Sequence, residues 1–545
     1  LIGTTYVGEY LSGSIVSFMM IFGEFLEDLT MKKTQNAVRS LIQLVPHKCR
    51  KKIGNKFEEV SIREIRPGDI IQVIAGEKIP VDGIIQNGQA TINESAITGE
   101  SMPVDKTTKD KVFVGTLNEN GVIEILTQKI GNETILGQII KTVKSAQENK
   151  GNVQKTADKF AEFFLPTILL ICAITALLTK DIMRVMSILV IACPCALILA
   201  TPTAVVASVG NAAKKGVLIK GGVVIEELAK VTTICFDKTG TLTKGELTIS
   251  KIYNYSSLPE NEIIKLVASI ENKSEHPIAR AIVNEAKSLK IELEEIADFK
   301  SIPGYGVSAT IKEKRYLIGN KKLMLENNIT ILQEQNELEL VSEGNSILFI
   351  AENQNLITLI GVKDVLKDES IDIVKKLQKR NIEVVMLTGD NEKTANAIAK
   401  QIGVDKVIAN VLPKQKAEEI KKLKQKGLVM MCGDGINDSV SLVTADIGVS
   451  VSSGTDIAMD SSNVVLMNDN LEKIEDLLSI SQKTITNIKQ NLFWAFFYNI
   501  CMIPIACGVL EPLGIVMNPM MAAFAMTISS LTVILNALRL KRMDN

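Results

Sequence analysis

Two sets of residues in this chain have the types and spacing to do chemistry. The first begins with Asp237-Lys238-Thr239-Gly240-Thr241-Leu242-Thr243, which starts where the apolar stretch Val231 to Phe236 stops. A carboxylate then sits on an exposed turn whose backbone amides can hold phosphate oxygens. Thr388-Gly389-Asp390 closes a second apolar stretch, Pro413-Lys414 opens a helical pattern, and Gly433-Asp434-Gly435-Ile436-Asn437-Asp438 closes a third stretch. Together they supply a nucleophilic carboxylate (Asp237), acids for Mg²⁺ (Asp237, Asp434), and a hydroxyl and a cation for a phosphoryl group (Thr388, Lys414), which is the positioning and charge neutralisation that phosphoryl transfer needs. One Asp-Gly turn alone is an ordinary solvated loop; the seven-residue Asp237 string is far more specific. The second set is Ala192-Cys193-Pro194-Cys195-Ala196, in the middle of an apolar run. Cysteines two apart on an unbroken helix face different sides, but Pro194 cannot donate its hydrogen bond and opens the turn, so both thiolates can face one soft ion. Buried cysteines acting as small hydrophobes are the bland alternative.

These residues need elements to hold them. Val231 to Phe236, Glu383 to Leu387 and Leu428 to Met431 read as buried strands separated by helical patterns such as Asp368 to Lys379 and Lys393 to Ile402. That alternation predicts a doubly wound parallel sheet whose ligands gather at the strand carboxyl ends. Residues 247–358 interrupt the sheet and read as an inserted α+β domain. Upstream, Ile70 to Ile74, Val81 to Ile85 and Val122 to Leu126 alternate apolar and polar residues between Pro67-Gly68, Asp82-Gly83 and Asn87-Gly88, as in a small all-β domain.

The rest is membrane-like. Val185 to Gly210, Leu492 to Leu510 and Leu513 to Leu538, with the shorter Phe163 to Leu178 and Leu11 to Gly23, give five candidate spans against a requirement of about 20 residues each. Lys214, Lys215, Lys220, Arg539, Lys541 and Arg542 put the soluble parts on the cytoplasmic side. The expected organisation is a span in 1–29, a β-rich domain in 30–155, two spans in 156–214, the parallel-sheet domain in 215–246 and 359–485 around the insert, and two spans in 486–545. Composition agrees: mean hydropathy is +0.20 although 23% of the 545 residues are charged, so apolar residues are gathered into blocks. The 61 basic and 62 acidic residues leave −1, which removes the footprint of a nucleic-acid binder. Eight cysteines without paired spacing in the polar regions make no disulfide framework, and two histidines leave little for a His-built zinc site. The chain opens at Leu1 with no signal-peptide pattern, and N-terminal truncation is expected.

With Thr98-Gly99-Glu100-Ser101 in the β domain and Ser274-Glu275-His276-Pro277 in the insert, the whole order of motifs resembles the P-type ATPases, whose aspartate is phosphorylated by ATP. The resemblance implies a haloacid-dehalogenase-like phosphorylation domain, an inserted nucleotide-binding domain and a β-rich actuator domain on a transmembrane helix bundle. It implies that Asp237, Lys238, Thr239, Thr388, Lys414 and Asp438 are catalytic, that Asp237, Thr239 and Asp434 hold Mg²⁺, and that Glu100 positions the water that hydrolyses the phosphoenzyme. Glu275, His276 and Asp390 would serve the nucleotide, with Gly304 and Gly306 letting backbone approach the base. Ser439-Val440 stands where many members have Ala-Pro.

The Ser-Glu-His-Pro and Cys-Pro-Cys motifs belong to the heavy-metal branch. From Leu492 to Leu538 the only charged residue is Glu511, in the connecting loop, so no carboxylate is placed to neutralise a divalent ion between two thiolates. Cys193 and Cys195 with Tyr498, Asn499, Met526 and Ser530 suit Cu(I) or Ag(I), and look like the copper(I)-exporting subgroup. Interhelical hydrogen bonding is the plain reading of Tyr498, Asn499, Ser529 and Ser530. Glu27, clustered with Glu24 and Asp28, is either an ion-entry carboxylate or an ordinary polar helix end. Expected partners are ATP, Mg²⁺, a chaperone or thiol carrier delivering Cu(I), and membrane lipid, but no nucleic acid. A monomer with cytoplasmic catalytic domains, multi-pass in a bacterial plasma membrane, is expected. The alternatives are the same pump with Zn(II) or Cd(II), a non-transporting haloacid-dehalogenase-like phosphatase, and a metal sensor or storage protein.

Overall fold

A computed structural model of the chain describes all residues except 1–7, 9, 12, 26–27, 29–44, 55, 99–101, 139, 142–150, 194, 275, 332–333, 435–437, 452–460 and 541–545. It divides into two units. One comprises residues 1–230, 463–468 and 473–545; the other comprises 231–462 and 469–472.

The first unit opens with an antiparallel sheet of seven strands: β1 (Lys48–Ile53), β2 (Lys56–Ser61), β3 (Ile70–Ile74), β4 (Asp82–Asn93), β5 (Val104–Lys106), β6 (Lys111–Val112) and β7 (Leu117–Lys129). Their order is β2-β1-β3-β7-β4-β5, with β6 pairing β4. Alternation does what it should: Ile71 and Val73 of β3 and Ile123 and Ile125 of β7 point inward with Ile79, Val81, Ile85 and Ile92. Two dipeptides expected to be turns lie inside the long strand β4. Asn87-Gly88 sits at a register shift, and Gly88 has φ 93 with a missing Cβ that would strike the Val122 carbonyl. Asp82 is buried, and its carboxylate accepts the Val114 N–H (2.8 Å) and the Ile135 N–H (2.7 Å), fastening the strand to the segment that follows the sheet.

The same unit holds the apolar helices Asn152–Thr179, Ile182–Ile191, Cys195–Lys214, Lys473–Ala506 and Pro519–Arg539. Among the described residues, Glu162–Thr179 and Pro519–Arg539 are long and apolar enough to cross a membrane, while Gly13–Phe25 and Ile182–Ile191 are shorter apolar helices. The expected single span from Val185 to Gly210 is two helices, one ending at Ile191 and the next beginning at Cys195. Buried polar contacts hold three helices together: Thr484 to Ser208 (2.6 Å), Asn491 Nδ2 to the Ala200 carbonyl (3.3 Å) and Asn487 Nδ2 to the Asn536 carbonyl (2.8 Å). β8 (Val217–Ile219) pairs antiparallel with β20 (Val464–Leu466) in this unit. Residues 215–230 and 473–485, expected in the parallel-sheet domain, therefore group with the helices. The expected boundary at 485/486 falls inside one continuous helix of 34 residues.

The second unit contains a parallel sheet ordered β17-β16-β9-β18-β19, from β9 (Val231–Asp237), β16 (Glu383–Leu387), β17 (Lys406–Ile408), β18 (Leu428–Gly433) and β19 (Ile447–Ser450). Cys235, Val385, Leu387, Val429 and Met431 pack with Ile420 and Leu423 of the crossover helix Pro413–Lys424. Chain connections run to opposite sides from β9, so its carboxyl end lies at the switch point where such sheets bind ligands. The insert grows out through the antiparallel pair β10 (Thr243–Asn254) and β15 (Asn355–Leu366). β11 (Ala297–Ile302), β12 (Gly306–Ile311), β13 (Lys314–Gly319) and β14 (Ser346–Glu352) complete a six-stranded sheet. The amphipathic helices Glu260–Glu271 and Pro277–Ser288 cover it through Ile263, Val267, Ile270 and Ile282.

Candidate functional site

Register aligns the strand ends. Leu387 of β16 pairs with Asp237 of β9, and Cys432 of β18 pairs with Phe236, so Thr388, Asp237 and Asp434 emerge at one edge. Asp237 is 6% exposed. Gly240 adopts φ 70 in the turn that follows, and a Cβ there would lie 3.7 Å from Asp434 Cβ, which brings the Asp237 string against the Asp434 loop. The Thr243 hydroxyl braces the turn: it accepts the Gly240 N–H (3.2 Å) and lies 2.6 Å from Asp364 Oδ2. Lys238 donates to Asp390 Oδ2 (2.6 Å), and the Thr388 hydroxyl accepts the Asp390 N–H (3.1 Å). Asp390, expected to serve the nucleotide, is thus held beside Asp237's own turn. Thr239 is exposed at the mouth.

The cation at this site is Lys416, not the expected Lys414. Lys416 Nζ donates to Asp237 Oδ1 (2.5 Å) and to Asp438 Oδ1 (2.8 Å), with all three side chains nearly enclosed. Lys414 is exposed. Two residues along a helix turn the side chain about 200°, so only one of this pair can face the strand ends. Pro413 and the Gln415 side chain, which accepts the Leu412 N–H (2.9 Å), fix where that helix starts. The signal available in the sequence was therefore the position three residues after the proline.

Burial raises the Asp237 pKa, and Asp438 adds to the rise against the pull of Lys416. Burial would lower the Lys416 pKa, but Asp237 and Asp438 outweigh it and the net shift is upward. Both shift upward for different reasons: burial, with Asp438 and Asp434 nearby, lifts Asp237, while the two carboxylates that share its ammonium lift Lys416. Asp438 Oδ2 is buried without a hydrogen-bond partner, a further sign of a place for positive charge. That surplus fits Mg²⁺, which takes one or two carboxylates and completes its shell with water and phosphate oxygens. Among the described residues no three Asp, Glu, Cys or His side chains already form a metal cage.

In the insert, His276 caps the helix Pro277–Ser288, its Nδ1 accepting the Ile278 N–H (3.3 Å), which leaves the exposed Nε2 edge for a ligand. Gly304 has φ 78 and open space at its missing Cβ. Gly306 is required by the fold itself, because a Cβ would collide with the Ile318 carbonyl and Gly319 on β13. Glu271 is a feature the sequence did not disclose: it is 5% exposed and burial lifts its pKa to about 7. Glu27, Glu100 and Glu275 lie outside the described residues.

Among the helices, Cys193, Tyr498, Asn499, Met526 and Ser530 line one small cavity of ≈ 10 Å³, with Met502 and Ser529. That volume holds about one water-sized sphere, which suits a single ion rather than a molecule. Among the described residues, no Asp or Glu lines it. Met502 was missed, although it lies three residues after Asn499 and so on the same helix face. Cys195 opens the helix Cys195–Lys214, and its side chain lies outside the described residues. Cys193 is held in a disulfide in this structure, and must be reduced before its sulfur can bind an ion. A second cavity of ≈ 260 Å³ adjoins the first, sharing Cys193, Met526 and Ser530, with Met19, Met20 and Glu24 on its far wall.

Comparison with known proteins gives the chain its family. Residues 231–446 match the haloacid dehalogenase-like hydrolase family, and residues 43–144 match the P-type ATPase actuator domain. A copper-exporting P-type ATPase of Staphylococcus haemolyticus is 42% identical over 98% of this chain and 67% of its own length. A copper-transporting ATPase 2 of Rhizobium meliloti is 39% identical over 98% of this chain and 66% of its own. A zinc-transporting PIB-type ATPase solved in an E2.Pi state superposes with TM-score 0.66 at 30% identity, covering 99% of this chain and 89% of that one. The chain belongs to the P-type ATPase family, in its heavy-metal-transporting branch.

Proposed function

We propose that this chain exports a monovalent soft cation, Cu(I) and with it Ag(I), driven by ATP through a phosphorylated Asp237. A carboxylate oxygen of Asp237 attacks the γ-phosphorus, the bond to the bridging oxygen breaks and ADP leaves. Water then attacks the acyl phosphate and frees orthophosphate and the carboxylate. Lys416 holds Asp237 ionised before attack, and Lys238 and Thr388 lie beside the same turn. Mg²⁺, held by Asp237 and Asp434 with Thr239 beside them, would supply neutralisation of phosphate charge. His276 and the Gly304 turn offer the nucleotide a free imidazole edge and open backbone. Glu100 is assigned the hydrolytic water by the family resemblance. Cu(I) delivered by a chaperone or thiol carrier would bind Cys193 and Cys195 with Met526, Met502 and the Tyr498–Asn499 pair.

The observation that carries the cargo is the cavity lining: sulfur, amide and hydroxyl donors and, among the described residues, no carboxylate. Two thiolates and a divalent ion would call for further polar compensation there, whereas a soft monovalent ion does not. The fold neighbour named as a zinc transporter favours Zn(II) or Cd(II) as the second reading. Metal-stimulated ATP hydrolysis in vesicles under reducing conditions separates them. Stimulation by Cu(I) and Ag(I) is expected, and stimulation by Zn(II) alone would reject the cargo assignment. Asp237→Asn should abolish the acid-stable phosphoenzyme; labelling that survives would reject Asp237 as the residue phosphorylated.

A further inference from the structure

Beside the loops that follow helices Asn152–Thr179 and Lys473–Ala506, a set of sulfur atoms has no place in the mechanism above. Cys172 lies on Asn152–Thr179, seven residues before its end, and is buried; Cys507 follows the last residue of Lys473–Ala506 and is half-buried. The Thr175 hydroxyl donates to Cys507 Sγ at 3.9 Å. Cys172 and Cys507 pack in one cluster with Met517 and Met502. Met502 also lines the Cys193 cavity, so one thioether-bearing side chain belongs to both groups. From Asn499 to Cys507 the helix rises about 12 Å. A bare cation crossing that distance among hydrocarbon side chains would pay a prohibitive desolvation cost unless soft ligands relay it. The outer end is charged: Arg184 bridges Asp181 (3.1 Å) and Glu511 (2.5 Å), and a Cβ on Gly508, next to Cys507, would meet the Arg184 guanidinium.

We propose that Cys172 and Cys507, supported by Thr175, form a second site for a monovalent thiophilic cation at the outward end of the bundle, reached from the Cys193 cavity by way of Met502. The proposal rests on the export reading for its direction and on geometry alone for the site. Two thiols on neighbouring segments supply the pair of sulfur donors that Cu(I) and Ag(I) accept, and the Thr175 hydroxyl holds the Cys507 sulfur in place. Being built from two helices, such a site weakens when those helices separate, which is what release requires.

The test counts bound Ag(I) in the full chain, reduced and in detergent. With Cys193→Ala and Cys195→Ala removing the first site, the chain should retain one more Ag(I) than the same chain carrying Cys172→Ser and Cys507→Ser as well. In the unaltered chain, Ag(I) at ten times its dissociation constant should slow alkylation of Cys507 about tenfold and leave the exposed Cys501 unaffected. Equal Ag(I) counts, or Cys507 alkylation indifferent to Ag(I), would overturn the site. The export reading is scored separately, by Ag(I)-dependent phosphorylation of Asp237.

Discussion

Replacing Lys416 with Met in the whole chain gives the sharpest test of how the phosphorylation site is built. The ammonium lies 2.5 Å from Asp237 and 2.8 Å from Asp438 with its side chain 8% exposed, so water cannot take its place. At an effective dielectric near 20, each contact is worth about 6 kcal/mol of Coulomb energy, most of it offset by the desolvation of the three groups. Removing the cation alone leaves the carboxylates to repel one another, and the expected loss of stability is about 3–5 kcal/mol. Phosphoenzyme formation from labelled ATP should fall by about 10²–10³, the usual cost of one preorganised charge in such a site. Since Lys416 pulls the Asp237 pKa down against burial, its loss should also move the acid limb of the phosphorylation rate to higher pH. Lys414→Met, on the exposed side of the same helix, should change stability by less than about 0.5 kcal/mol and leave labelling intact. Adding Asp438→Asn to Lys416→Met should recover part of the lost stability by removing one uncompensated charge. The reasoning fails if Lys414→Met abolishes labelling while Lys416→Met retains it.

Glu271→Gln tests the buried carboxylic acid of the insert. Its folded pKa of about 7 stands above the ordinary 4.5, so the stability it allows is full below pH 4.5 and is lost as pH rises toward 7. The Gln variant should escape that loss and resist urea-dependent proteolysis of the insert more strongly at pH 8 by up to about 3 kcal/mol, with no advantage at pH 4; an advantage independent of pH would contradict the assignment. Gly306→Ala should open the insert to proteolysis in the absence of nucleotide, because the clash is with β13 itself, whereas Gly304→Ala meets only backbone strain. If Gly306→Ala weakened nucleotide binding with unchanged protease resistance, its role would be ligand approach after all. Met502→Leu keeps volume and removes the thioether; the concentration of Cu(I) giving half-maximal ATP hydrolysis should rise with little change in maximal rate. An unchanged half-maximal concentration would remove Met502 from the ion's path.

Much of this arrangement follows from local pattern. The strand ending at Asp237, the β domain around Ile71 and Ile123, and the break at Cys193-Pro194 each rest on periodicity or on a missing N–H, properties of a few consecutive residues. The pattern also misread some places for a physical reason. Asn87-Gly88 has turn composition, yet a strand tolerates it where a register shift gives Gly88 its positive φ and β7 presses too close for a Cβ. Lys473 to Ala506 changes from polar to apolar along its length, and composition placed a boundary where the backbone has none.

Residue types and their order along the chain were enough to fix which family this protein joins and which carboxylate and which thiols to suspect. Only the tertiary structure decided which of Lys414 and Lys416 faces Asp237, that Gly306 answers to β13, that Glu271 is a buried acid, and that Met502 joins two sulfur clusters. Those outcomes depend on the rotation of a helix about its axis and on what other segments bring within a few ångströms, and neither quantity is written in any short stretch of sequence.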